Sequence, residues 1–348
     1  MASASGDDRP RVLVTGATGF IASHIVQQLL ESGQYTVRGT VRDLTQKNKA
    51  EDTGPKTWEY GDLQLHKADL LDADCWRGLI EGCTYVIHTA SPFPLTNPRN
   101  EDDVIKPAVE GTTNVLKAVA ANGEIKRVIL TSSLAAICAA PEANKVYTEE
   151  DWTNTDRAQA YLKSKALAEK AAWDYMKDLK EGEKFELVVL NPGYVMGPVI
   201  SKNSFTSMEA VVRLLQPSMP AVPKINLNII DVRDVAKAHI VALTNEQAAD
   251  NRHILVQGNM WLREVAQILA KEFKPQGYNV PTMSCPKFLL RISSWFDGGL
   301  RMVIPYVGKV LTCDNKRMKE VLAIEERPLS ETILDMAYSL VDGGFVKK

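Results

Sequence analysis

Apolar positions in this chain follow two alternating rhythms. Short β-branched runs are each followed by a longer stretch in which apolar residues recur at helical spacing. RVLVTG (11–16) predicts a buried strand that closes on glycine, and FIASHIVQQLLESG (20–33) a helix ended by Gly33. TVRGTVRD (36–43), LQLHKADL (63–70), TYVIHTAS (84–91), KRVILTSS (126–133) and FELVVLNPG (185–193) predict further strands. DADCWRGLIEG (72–82), DVIKPAVEGTTNVLKAVAANG (103–123) and about 157–178 predict helices, and the polar TQKNKAEDTGPKT (45–57) a loop. Strands that alternate with helices, apart from the loop at 45–57, make an α/β fold, a doubly wound parallel sheet with helices on both faces.

After Gly193 the rhythm changes. Prolines are scattered through 198–223, NLNII (226–230) and RHILVQ (252–257) read as strands, and 232–244, 260–273 and most of 286–342 read as helices. The expected organisation is a tail at 1–10 and a nucleotide-binding domain at 11–193 to which segments near 226–257 return. A smaller, mostly helical substrate lobe follows at 194–348.

Composition narrows the class. A net charge of −2 gives no electrostatic footprint for nucleic acid or an acidic membrane. Five scattered cysteines, with no CxxC pair, predict neither a disulfide framework nor a zinc site. The first ten residues lack a basic and apolar leader pattern, and no apolar run reaches the length of a membrane span. A cytoplasmic enzyme is expected, with a small-molecule partner, no metal and no nucleic acid.

The first strand–helix junction carries the first piece of chemistry. In VLVTGATGFIASHI, Gly16 and Gly19 let the backbone approach a pyrophosphate, and Ala22 allows close helix–strand packing. Thr18, Phe20 and Ile21 complete the turn and the first helical amides, which present N–H groups and a positive dipole end. This is the Rossmann type of dinucleotide site. At the end of the second strand stands Arg42, a planar fork suited to a ribose 2′-phosphate, so NADPH is expected rather than NADH. A pairing of Arg42 with its neighbour Asp43 is the other reading, Arg38 competes for the role from further back, and Lys47 or Lys49 would add charge. Asp69 and Leu70, after the third strand, would flank the adenine; a capping role for Asp69 is the other reading.

The second piece lies in AQAYLKSKALAEKAAW (158–173), where Tyr161 and Lys165 share one helix face. Reduction of a carbonyl needs a proton for its oxygen. A phenol at its ordinary pKa of about 10 is a sluggish donor, and a neighbouring ammonium should pull that value down. The same lysine can hold the nicotinamide ribose. Ser132 and Ser133 end the strand 126–133, at the edge where such sheets bind ligands, and one of them can polarise the substrate oxygen.

With these residues in view, the chain resembles the extended short-chain dehydrogenase/reductases. Within them it is similar to the branch of dihydroflavonol reductases, cinnamoyl-CoA reductases and yeast methylglyoxal (aldehyde) reductases. The stretches that carry this are VTGATGFIASHIV, GTVRD, VIHTASPF, VIKPAVEGTTNVLKA, RVILTSSLAAI, YLKSKALAEKAAW, NPGYVMGP and DVRDVAKAHI, spanning about 11–240. The resemblance implies a triad of Ser133, Tyr161 and Lys165. It also implies that Thr89, Ala90 and Ser91 line the cofactor and that Pro192, Gly193 and Val195 pass beside the nicotinamide. Two departures bear on substrate. The text around Tyr161 lacks the NWYCYGK signature of cinnamoyl-CoA reductases, and Cys138 stands where dihydroflavonol reductases place an asparagine.

Candidates for the pocket wall are Phe93, Leu134, Tyr194 and Met196, with the segment 200–222; packing is the competing role for each. His24, His88 and His239 fit structural patterns. The expected activity is NADPH-dependent reduction of a small or medium aldehyde or ketone. The rivals are a hydroxysteroid dehydrogenase or sugar-nucleotide epimerase/dehydratase, and a non-catalytic NADP(H) sensor.

Overall fold

A computed structural model describes residues 8–44, 63–92, 98, 100–200, 208–216, 221–293, 295 and 304–346. Its centre is a seven-stranded parallel sheet. The strands are β1 (Arg11–Thr15), β2 (Thr36–Val41), β3 (Leu63–Lys67), β4 (Tyr85–His88), β5 (Arg127–Thr131), β7 (Glu186–Pro192) and β10 (Arg252–Leu255), in the order β10-β7-β5-β4-β1-β2-β3. The chain winds outward from β1 in one direction and then returns to its other side with β4. The crevice between the carboxyl ends of β1 and β4 is therefore the switch point at which such sheets bind ligands.

Residues within each strand divide between two cores. Val12, Val14, Ile87, Ile129 and Val188 enter one, while Leu13, Val86, Val128, Leu187 and Val189 enter the other. This period-two sharing is why the strands read as unbroken apolar runs. The first core is covered by α1 (Phe20–Ser32), α7 (Val232–Ala242), α8 (Leu262–Phe273) and α11 (Leu329–Asp342). The second is covered by α2 (Cys75–Ile80), α3 (Asp102–Asn122) and α5 (Ala160–Lys177), with Trp76 sealed inside it.

The two late strands part company. RHILVQ contributes β10 to the large sheet beside β7, whereas NLNII becomes β9 (Asn226–Asp231) of a separate three-stranded sheet, between β8 (Tyr194–Met196) and β11 (Gly258–Trp261). Of the segments near 226–257, β10 is the one that pairs with the large sheet. Short pieces complete the description: α4 (Leu134–Ile137), α6 (Glu209–Leu215), α9 (Lys287–Ser293) and α10 (Lys316–Glu320), and a two-stranded ladder of β6 (Val146–Tyr147) and β12 (Thr312–Cys313).

A charged cluster ties the C-terminal helix to this frame. The fully buried Asp231 caps α7 by accepting from the Arg233 backbone N–H at 2.8 Å. It pairs with the Arg233 guanidinium at 2.7 Å and accepts from the Thr332 hydroxyl of α11 at 2.7 Å. Arg233 also reaches Asp335, at 2.7 Å. Among the described residues no helix is long and apolar enough to cross a membrane.

Candidate active site

The glycine turn closes β1 onto α1. Gly16 sits at φ +65°, a left-handed conformation that disfavours other residues, and a Cβ there would lie 3.2 Å from Ala90. The Gly16 N–H donates to Thr40 Oγ1 at 3.1 Å, the Ala17 N–H to Thr40 O and the Gly19 N–H to Gly16 O. Gly19 is the N-cap of α1, and no side chain caps the helix. The first intrahelical bond is that of Ser23 to Gly19 O, so the amides of Phe20, Ile21 and Ala22 remain as donors at the mouth of the turn. Thr18 is half-exposed there. An uncapped helix start beside a side-chain-free backbone fits a pyrophosphate.

The neighbouring strand end is held rigidly against it. Thr15 Oγ1 receives the N–H groups of Thr89 and Ala90, at 3.1 and 3.0 Å, and is bonded to His88 Nδ1 at 2.8 Å. The Thr89 hydroxyl donates back to Thr15 O. Ala90 thereby packs on Gly16, with Ser91 half-buried beyond it.

Arg42 is exposed at the carboxyl end of β2. Arg38 is not a competitor, because its guanidinium turns the other way and donates to Leu79 O at 2.7 Å and Glu81 O at 2.9 Å, capping the C-terminus of α2. Asp69 is exposed, and its carboxylate accepts from Leu71 N–H at 2.9 Å, bracing its own turn rather than a helix. Leu70 is fixed by α3: its carbonyl accepts from Asn114 Nδ2 at 2.9 Å and its side chain fills the space left by Gly111. Lys47, Lys49 and Phe93 lie outside the described residues, as do 201–207 and 217–220 of the expected pocket segment.

The two serines that end β5 diverge. Ser133 caps α4, accepting from the Ala135 N–H at 3.1 Å, and its hydroxyl faces the phenol of Tyr161 and favours the ionised form of that group. Ser132 points away from that site and donates to the buried carboxylate of Glu169 at 2.5 Å. Lys165 lies one turn along α5 from Tyr161. Its charge is felt by His88 on one side and Glu169 on the other, and among the described residues no carboxylate lies within ion-pair distance of it. Burial pulls its ammonium down to about 8, against the raising effect of Glu169.

The phenol itself departs from expectation. Burial pushes Tyr161 up to about 12, against the lowering effect of Ser133. Desolvation of the anion outweighs the lysine's field.

The β7–β8 corner also belongs to the site. Asn191 and Pro192 are buried, and the Gly193 N–H donates to Leu255 O at 3.0 Å. A Cβ on Gly193 would stand 2.3 Å from Asn228 O, so β9 can cross here only because the residue is glycine. Val195 is buried just beyond. Of the expected pocket wall, Tyr194 is partly buried against the first core, whereas Met196 is 1% exposed within it and is a packing residue. Leu134 likewise belongs to an apolar cluster with Ile137, Cys138, Tyr147, Ile254 and Val256. Side chains in strands alternate, and the position of Met196 falls on the core side.

Sequence reading missed the hub behind these groups. Glu169 accepts from Ser132, from Asn191 Nδ2 (2.7 Å), from Arg252 Nε (2.5 Å) and from Trp173 Nε1 (3.4 Å). Its one sequence signal was a glutamate on the inward face of a helix, one turn past Lys165.

Residues 13–263 match the 3-beta hydroxysteroid dehydrogenase/isomerase family. A cinnamoyl-CoA reductase of Medicago truncatula is 38% identical over 74% of this chain and 79% of its own. The NADPH-dependent methylglyoxal reductase of Saccharomyces cerevisiae is 33% identical over 95% and 98%. The structure of Gre2 in complex with NADPH from Candida albicans superposes with a TM-score of 0.80, at 30% identity, covering 96% of this chain and 99% of that one. The glycine turn at the switch point, the serine–tyrosine–lysine cluster and these likenesses agree, and the chain belongs to the 3-beta hydroxysteroid dehydrogenase/isomerase family of extended short-chain dehydrogenase/reductases.

Proposed function

We propose that this protein is an NADPH-dependent carbonyl reductase acting on a small or medium aldehyde or ketone. The observation that carries the reading is the convergence of Ser133, at the carboxyl edge of β5, on Tyr161 of α5, with Lys165 one turn away. The relatives named for methylglyoxal and cinnamoyl-CoA reduction support the reaction class. The uncapped start of α1 and the turn at Gly16 would hold the pyrophosphate, and Arg42 the 2′-phosphate.

When bound, NADPH supplies the hydride. Ser133 donates to the substrate oxygen as negative charge gathers there, and Tyr161 gives that oxygen its proton. Lys165 holds the ribose and stands ready to stabilise the phenolate that Tyr161 leaves behind. A phenol raised by burial keeps its proton until an oxyanion arrives, which suits a donor in the reductive direction. The site carries no acidic residue in the place of Arg42, as a preference for NADH would require.

The test is loss of reduced-nicotinamide absorbance with methylglyoxal, isovaleraldehyde and larger aldehydes and ketones, for wild type and Tyr161→Phe. Turnover with NADPH, cut about 10²–10⁴-fold in the variant while NADPH still binds, is the expected result. Equal turnover by Tyr161→Phe removes Tyr161 from the role.

A further inference from the structure

Glu169 is 1% exposed and sits one helical turn beyond Lys165 on α5. Each carboxylate oxygen accepts twice: Oε2 from Ser132 (2.5 Å) and Asn191 (2.7 Å), Oε1 from Arg252 (2.5 Å) and Trp173 (3.4 Å). Three of the four donors come from three neighbouring strands or their ends: Ser132 directly follows β5, Asn191 is in β7 and Arg252 in β10. Asn191 also donates to the Ser133 carbonyl at 3.3 Å, so the hub touches the backbone of the residue that faces Tyr161. Arg252 is itself fixed: its Nη1 donates to Glu149 O (2.6 Å) and Asp151 O (2.7 Å), and its guanidinium lies 3.8 Å over the Trp152 ring. A glutamine could not replace this acceptor, because its amide would turn two N–H groups toward groups that already donate.

We propose that Glu169 is a positioning residue for this reaction, bracing α5 against β5, β7 and β10 and supplying the counter-charge for Lys165. The proposal rests on the reading that Lys165 carries its charge to the nicotinamide ribose. The charged and titratable groups around Lys165 are few. Tyr161 and Glu169 lie on its own helix, Arg252 lies behind Glu169 on β10, and His88 ends β4 and is kept neutral by burial. The Glu101–Lys163 pair, at 3.0 Å, links the start of α3 to α5 on the more exposed side. Of these, Glu169 is the group whose charge favours the protonated lysine, against the burial that opposes it. A fixed carboxylate there keeps the ammonium charged at the pH of the cell without forming a direct ion pair that would hold it away from the cofactor.

The experiment is NADPH binding, followed by nicotinamide fluorescence from about pH 6 to about pH 10, for wild type, Lys165→Met, Glu169→Gln and Arg252→Gln. Affinity in the wild type should weaken along one basic limb, and that limb should be absent from Lys165→Met. Glu169→Gln should move the limb acidward by roughly one pH unit, the usual effect of removing one near charge. Arg252→Gln disturbs the same hub but keeps the carboxylate, and should not move the limb acidward. If Glu169→Gln fails to fold, Glu169→Gln with Arg252→Gln removes the unpaired cation and is read in its place, with the acidward shift again expected. A limb that survives Lys165→Met overturns the reading of Lys165 and the proposal with it. A limb that depends on Lys165 but stays in place in the Glu169 variants, or shifts equally in Arg252→Gln, leaves Lys165 intact and overturns the proposal alone.

Discussion

Acidification should unfold this protein through its histidines. Four of the five are buried, with exposures of 4% for His24, 2% for His88 and 0% for His239 and His253. Each is held neutral by burial, to about 4 for His24, His239 and His253 and about 3 for His88. Their partners are Pro198 O at 2.8 Å, Thr15 Oγ1 at 2.8 Å, Thr131 Oγ1 at 2.7 Å with Val235 O at 2.8 Å, and Ala248 O at 3.2 Å. The folded values lie below the unfolded 6.5, so the unfolded chain binds more protons and stability falls as pH drops from about 6.5 toward about 4. At about pH 5.5 each such histidine costs on the order of 1 kcal/mol, and the four together on the order of 5 kcal/mol, which is comparable with the whole stability of many domains. His66 is lowered by burial as well and acts in the same direction. The contribution of Asp231, whose carboxyl is held down by Arg233 and Thr332 against burial, is lost only at lower pH. Urea midpoints should therefore fall steeply between about pH 7.5 and about pH 5.5, with proton uptake of three to four on unfolding. A change across that range smaller than the roughly 1 kcal/mol of a single histidine would refute this account.

Further outcomes follow from the same geometry. Gly193→Ala forces the Asn228 carbonyl to retreat by about 1 Å to reach an ordinary carbon–oxygen contact, and should cost about 2–3 kcal/mol in urea unfolding. It should also lower turnover, because Pro192 and Val195 move with it. Arg42→Ala should weaken NADPH about 10–100-fold, the value of a charge-assisted bond, and leave NADH unchanged; steady-state KM values for the two cofactors check this. Arg38→Ala should destabilise the fold by about 1–3 kcal/mol through the uncapped end of α2, without altering the cofactor ratio. Above about pH 8 cofactor-free protein should gain stability as Lys165, lowered by burial, no longer has to be charged in the folded state, and this gain should vanish in Lys165→Met.

Much of the sheet was legible because its strands are buried on both faces and its helices are amphipathic. RVLVT, YVIH and RVILT read as strands for the same reason that the structure buries them. The glycine turn was legible because only a side-chain-free backbone fits between Thr40 and Ala90. Pairing partners were not. Nothing in NLNII distinguishes a strand that joins the large sheet from one that joins β8 and β11, since the pattern of burial is alike. Two-residue strands such as Val146–Tyr147 are too short for any period to appear. The direction of Arg38, the core position of Met196 and the convergence of Ser132, Asn191 and Arg252 on Glu169 depend on contacts between residues distant in sequence. The phenol rises rather than falls because the loss of water around Tyr161 outweighs a charge one turn away, and burial is not visible in a spacing.

A ribosome delivers this chain in the order of its sequence, and the cluster around Asp231 does not respect that order. Asp231 and Thr332 are separated by 101 residues, so the carboxylate at the root of α7 emerges roughly 5–20 s before the hydroxyl that completes its shell. Once β10 has followed, all seven strands are available, yet the Asp231 shell lacks its hydroxyl and the apolar face that α11 will cover stays wet. Nascent chains caught in this window are the species that a chaperone would meet. Release of the last helix, rather than closure of the sheet, is the event that ends their exposure.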